Sequence, residues 1–252
     1  MTWPNIIFEG PSYSMMSVLI LLSLAIAPGI AISLFVYFKD KYEREPWHLL
    51  FKAFINGVLV TFLAGLLEFW ADSLIKTSPE LWMVAIEAFL MVALIEEGCK
   101  YYLLVTNIYH SEEFNEPFDG ITYAVIISMG FATFENIFYV YRGGLEIAFL
   151  RMLTAVPAHA IFGVMMGFFV GLAKFRRHSA TLRWTGLLAA VFFHGAYDFF
   201  LFQEIYPMLT YGALLVLLVG LLLSLWGMRV LSNLSPFKEA ENPLARKNEM
   251  EG

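Results

Sequence analysis

The sequence predicts an all-α fold: a polytopic membrane bundle of about seven transmembrane helices. Three observations predict it. Apolar residues come in blocks of about 20 or more, the length a helix needs to cross roughly 30 Å of hydrocarbon. The chain of 252 residues is 59% hydrophobic and only 15% charged, whereas soluble domains carry about a quarter of their residues as charges. Those charges sit almost entirely between the blocks and near the C-terminus.

The spans follow in order at 13–38, 50–70, 81–107, 119–141, 145–174, 184–203 and 208–231. The first is read as a span and not a cleavable signal. It lacks a basic n-region, and the apolar run from Met15 to Phe38 exceeds the length of an h-region. Pro28-Gly29 and Pro157 predict kinks in the first and fifth spans. The third and fifth are long enough to tilt or protrude. Residues 1–231 form the bundle, and 232–252 form a charged, mobile cytoplasmic tail. The single cysteine, Cys99, rules out an intrachain disulfide. The acidic stretch Glu112, Glu113, Glu116 and Asp119 reads as a solvated loop.

Basic residues set the orientation. Lys39, Lys41, Arg44, Lys174, Arg176, Arg177 and Arg183 fall in loops on one side, together with Lys238, Arg246 and Lys247 of the tail. Lys76, Arg142 and Arg151 fall on the other. With seven spans, the N-terminus lies outside and the C-terminus in the cytoplasm.

The informative residues are ionisable groups inside the apolar blocks. They are Glu96, Glu97 and Lys100 in the third span, Glu135 in the fourth, His159 in the fifth, and His194 and Asp198 in the sixth. A charge at the centre of a membrane helix costs about 2.5–3.5 kcal/mol on insertion scales. These groups must therefore face one another, a cavity or water. All but Lys100, one turn deeper, lie about 15–25 Å from the start of their spans at 1.5 Å per residue, so four helices deliver polar groups to a similar depth. Glu96 with Lys100 and His194 with Asp198 are i,i+4 pairs on single helix faces.

Each has a plainer reading. Glu96 and Lys100 could be a neutralised structural pair, and Asp198 with His194 could glue helices together. His159 could satisfy a carbonyl freed by Pro157, and Glu135-Asn136 could be an interhelical hydrogen-bond node. Clustering in four spans favours a shared site. Paired buried carboxylates can take a proton from water near neutral pH, and histidines can donate to a developing oxyanion. Together they suit activation of water against an amide. Other hydrolase designs are missing. There is no His-Glu-x-x-His, and no Gly-x-Ser within a span. Tyr197-Asp198 is like one half of a presenilin-type aspartyl pair, without the Gly-x-Gly-Asp of the other half.

Glu96-Glu97-x-x-Lys100 is followed by Phe131-x-x-x-Glu135 within Gly-Phe-Ala-Thr-Phe-Glu-Asn-Ile-Phe-Tyr. His159-Ala160 and His194-x-x-x-Asp198 come next. In this order and spacing the set resembles the PrsW family of bacterial intramembrane proteases, related to the CAAX prenyl endopeptidases and bacteriocin-processing proteins. The resemblance covers residues 80–200. It implies site-one cleavage of a single-pass membrane protein of the anti-sigma-factor type, and a multi-pass place in the bacterial inner membrane. It implies Glu96 as general base supported by Glu97, with His159 and His194 stabilising the oxyanion and Asp198 orienting His194. Lys100, Glu135 and Asn136 would support them. Glu135 stands where the prenyl endopeptidases have a histidine.

No cofactor is favoured, because Lys100 beside the acidic pair repels a cation. Zinc stays open: Glu135, His159, His194 and one glutamate of the pair would make a mixed site with a free water position. The partners expected are the membrane substrate and the lipid bilayer, with no nucleic acid. The alternatives are a proton-coupled transporter, which uses similar buried groups, and a silent scaffold binding other helices. The scaffold would present the stripe Gly163, Gly167, Gly171.

Overall fold

A computed structural model describes residues 14–75 and 77–238. Lys76 and the tail beyond Lys238, which entered the charge asymmetry, lie outside the described residues. Among the described residues every regular element is helical, as a chain of long apolar blocks requires: in hydrocarbon a helix satisfies its own backbone.

The order is α1 (Met15–Lys39), α2 (Trp47–Leu74), α3 (Leu81–Ile86) and α4 (Leu94–Leu103), then α5 (Pro117–Leu153), α6 (Ala155–Lys174), α7 (Ser179–Phe202) and α8 (Tyr211–Asn233). Two π-helical stretches, Glu87–Ala93 and Leu104–Ile108, join α3 to α4 and extend α4. The third predicted span is thus helical throughout but locally unwound on both sides of Glu96 and Glu97. Five helical stretches are long and apolar enough to cross a membrane. The longest, Pro117–Lys174, contains α5 and α6 folded back on one another.

α5 is the central post. From Pro117 to Thr133 every residue is buried, and the helix packs against α1, α2, α6 and α8. Its closest partner is α6. The predicted glycine stripe makes that contact: Gly120 lies against Gly167 and Gly171, and Gly163 lies against Val125 and Ser128. The two helices therefore run antiparallel with backbones nearly touching, which side chains at these positions would prevent. The stripe is spent inside the bundle, and the scaffold reading loses its docking face. Large apolar side chains project outward from the peripheral helices, such as Leu19 and Phe35 of α1, Phe62 of α2, and Leu214 and Leu222 of α8. Rows of this kind face lipid.

Three expectations need correction. The break between the fourth and fifth spans was placed near 143. Gly144 does take a left-handed φ of 67° there, but the chain resumes its helix as far as Leu153. α6 begins only at Ala155. Pro157 makes no kink: it sits in the first turn of α6, where an N–H would have no helical partner anyway. The acidic stretch is not a solvated loop. Glu112 and Glu113 are exposed, but Glu116 and Asp119 are each 1% exposed and Asp40 is 2% exposed. Burial and the adjacent Glu116 push the Asp40 carboxyl up to about 8. Burial likewise raises Glu45 to about 7, although Tyr123 donates its hydroxyl to that carboxyl.

Candidate active site

The first turn of α4 brings Glu96 and Glu97 into the bundle, and Lys100 follows one turn later. All three are buried, Glu97 completely. The Lys100 Nζ donates to Glu96 Oε2 at 3.0 Å and to Glu97 Oε1 at 2.8 Å. It also lies 3.1 Å from His159 Nδ1 on α6 and 3.9 Å over the Phe131 ring of α5. The predicted i,i+4 pair is thus real, and Glu97 at i+3 shares the ammonium.

The two histidines repeat one pattern. His159 Nε2 is 3.0 Å from Glu135 Oε2. His194 Nε2 is 3.1 Å from Asp198 Oδ2. In each case a carboxylate holds the outer nitrogen and Nδ1 turns inward. The inner nitrogen of His159 meets Lys100, and that of His194 meets Glu97 Oε1 at 2.9 Å. The rings stand 5.3 Å apart and nearly perpendicular.

Hydrogen-bond arithmetic assigns the protons. An ammonium can only donate, so His159 accepts at Nδ1 and gives its Nε2–H to Glu135. His194 faces carboxylates on both sides, while a neutral imidazole has one N–H to give. Either it carries two protons, or one of the two carboxyls is protonated, or a cation replaces the proton at Nδ1.

All eight residues predicted for the site come together. Glu96, Glu97, His159 and His194 form its centre, each offering a ligand atom within 4.8 Å of the others. Glu135 lies outside this set of four and holds His159 from behind. Asn136 is fully buried and donates to the Ala25 carbonyl at 3.3 Å, tying α5 to α1.

Arg151 was missed. Its sequence position, near the start of the predicted fifth span, reads as the outer side of the membrane. The helical continuation after Gly144 instead folds it inward. Its guanidinium pairs with Glu135 Oε2 at 3.0 Å, its Nε donates to Asn136 Oδ1 at 2.8 Å, and it stacks 3.9 Å over Tyr139. An arginine near the outer end of an apolar span carries no signal of that return.

The donors suit a metal ion of the zinc class. Two imidazoles present inner nitrogens while carboxylates fix their outer ones, an arrangement that orients metal-binding histidines. Glu97 Oε2 is buried without a hydrogen-bond partner. Among the described residues, Glu96, Glu97, Glu135 and Asp198 face only two permanent cations, Lys100 and Arg151. A divalent ion would balance the remaining charge. Lys100 opposes it, because the ammonium stands among the same inward atoms and must withdraw from His159 Nδ1.

A family profile described as "PrsW family intramembrane metalloprotease" matches residues 45–226. That description runs against the metal-free preference drawn from Lys100. The chain is 41% identical to Protease PrsW of Geobacillus kaustophilus over 73% of its length and 80% of the relative's. Against Protease PrsW of Bacillus subtilis the identity is 37%, over 72% and 82% of the two chains. Against that of Clostridioides difficile it is 30%, over 81% and 85%. No solved structure matches. The convergence of Glu96, Glu97, His159 and His194 from three helices thus sits inside the matched region, and the chain belongs to the PrsW family of intramembrane proteases.

Proposed function

We propose that the protein makes the site-one cut in a single-pass membrane protein of the anti-sigma-factor type, with Glu96 as the base that activates water. The observation that carries this reading is the convergence of His159 and His194 on the Glu96-Glu97 pair, one ligand atom from each lying within 4.8 Å of the others. Glu97 is committed to both Lys100 and His194. Glu96 has Lys100 alone among its hydrogen-bond partners and is 5% exposed against 0% for Glu97. The less committed carboxylate is the better base, since its second oxygen is free for a water.

The roles follow from the contacts. Glu96 takes the proton of the attacking water and can pass it to the leaving amine. His194 and His159 face the reacting carbonyl and stabilise its developing charge, His159 doing so once its Nδ1 takes a proton in place of the hydrogen bond it accepts from Lys100. Asp198 fixes the His194 ring, and Glu135, itself held by Arg151, fixes that of His159. Lys100 keeps Glu97 ionised and placed. A zinc-class ion would be held by Glu97, His159 and His194. When bound, it would supply Lewis-acid polarisation and a more acidic water.

The membrane placement belongs to the same proposal: seven passes in the bacterial inner membrane, N-terminus outside and C-terminus cytoplasmic. The basic residues at one end of the helices support it. The test is a comparison of membrane-protein fragments from cells producing wild type or Glu96→Gln. A fragment from a single-pass protein, present only with wild type, is the expected result. Identical fragment patterns from a well-inserted variant would end the Glu96 mechanism.

A further inference from the structure

A second buried carboxylate cluster lies at the start of α5. Asp40 ends α1, Glu116 precedes α5 and Asp119 lies in its first turn. One ligand atom from each lies within 4.8 Å of the others. Asp119 and Glu135 are sixteen residues apart on one helix, about 24 Å at 1.5 Å per residue, so this cluster is separate from the Glu96 site.

Asp119 is partly satisfied. Its Oδ2 accepts the backbone N–H groups of Asn115 and Glu116, both at 2.8 Å. The others are not. Asp40 Oδ2 and both carboxylate oxygens of Glu116 are buried with no hydrogen-bond partner. Glu45, 5% exposed, lies directly against the Asp119 carboxyl and accepts from the Tyr123 hydroxyl. Among the described residues no lysine or arginine makes an ion pair with these four carboxylates. The nearby cations are committed to carbonyls. Arg44 Nε donates to the Asp40 backbone oxygen at 3.4 Å. Lys174 Nζ donates to those of Tyr109 and Ser111 at 2.6 and 3.2 Å.

Buried carboxylates facing one another are held by shared protons or by a cation. One proton between Asp40 and Glu116 would satisfy a single oxygen on each and leave the second Glu116 oxygen only the neighbouring Ser235 hydroxyl and Asp119 backbone N–H. A cation can take both Glu116 oxygens at once. The donors are all carboxylate oxygen, which selects hard ions over zinc or copper.

We propose that Asp40, Glu116 and Asp119, with Glu45 beside them, bind one hard divalent cation of the magnesium–calcium class. The ion clasps the α1–α2 loop to the start of α5, the helix that carries Glu135 near its middle.

Terbium, a luminescent stand-in for calcium excited through nearby aromatic rings, tests this on chelator-treated full-length protein in detergent. Tyr123 is close enough to act as the antenna. The expected result is saturable luminescence from one ion per chain, displaced by calcium or magnesium. Calcium or magnesium should also raise Tm. Affinity should fall at least tenfold in Glu116→Gln and Asp40→Asn and stay unchanged in Glu96→Gln. No saturable signal and no Tm shift would mean shared protons and overturn the proposal. A signal surviving in both Glu116→Gln and Asp40→Asn would overturn it too. If neither of those variants folds, Glu96→Gln decides: retained binding supports the cluster, and lost binding moves the ion to the other site.

Discussion

Lys100 Nζ lies 3.1 Å from His159 Nδ1, on the same inward face that receives Glu96 and Glu97. The lone pair an imidazole would give a metal is here held by an ammonium. The two cations compete for one place. Lys100→Met removes the competitor and leaves the acidic pair without its counter-charge. Stripping one partner from a buried ion pair costs about 3–5 kcal/mol, so Tm of the chelator-treated variant should fall. Added zinc should then recover more Tm in Lys100→Met than it adds to wild type. Equal zinc effects on the two proteins would show that Lys100 does not guard the metal position.

The two glutamates should separate by readout. Glu96→Gln keeps shape and removes a base, so cleavage should drop by about 10²–10⁴-fold, with Tm little changed. Glu97→Gln breaks the link between Lys100 and His194, so it should lower Tm as well as cleavage. Thermal melts beside a cleavage assay on each variant check this. A Glu96→Gln protein as unstable as Glu97→Gln would make Glu96 a structural group.

Much of this was legible in the sequence, because a membrane protein writes its helices as long apolar blocks and cannot hide a charge inside one. Glu96, Lys100, His159, His194 and Asp198 stood out for that reason, and i,i+4 spacing gave the contacts within a helix. Contacts between helices were accessible only through shared depth. The second cluster was invisible for the opposite reason. Asp40, Glu116 and Asp119 flank spans, where acidic residues are normally solvated, and only folding stacks the α1–α2 loop on the start of α5. Arg151 was hidden by the helix that resumes after Gly144 and returns it to Glu135.

Arg151 bridges Glu135 and Asn136 with two nitrogens. Arg151→Met leaves Glu135 paired only with His159, and an unfolding measurement in detergent should show a loss of about 3–5 kcal/mol. Arg151→Lys should recover part of it. A single ammonium can meet Glu135 but lacks the planar fork that also reaches Asn136. Cleavage should fall in the same order, because His159 loses its fixed orientation. An Arg151→Lys protein matching wild type in both measurements would reduce the fork to a simple charge.

Two glycines near the site should respond oppositely to alanine. A Cβ at Gly167 would fall on the Gly120 carbonyl oxygen and the Ile121 Cα, both backbone. Neither can rotate away, so α5 and α6 must separate. Overpacking of this kind costs about 1–3 kcal/mol, and cleavage should drop because Glu135 and His159 ride on those two helices. A Cβ at Gly98, between Glu97 and Cys99, meets nothing within 4 Å. Alanine there removes a helix-weakening glycine, which stabilises an ordinary helix by up to about 1 kcal/mol. Gly98→Ala should therefore keep or raise Tm and keep cleavage, while Gly167→Ala loses both. If Gly167→Ala melts and cleaves like wild type, close α5–α6 contact is not what holds the two sides of the site together.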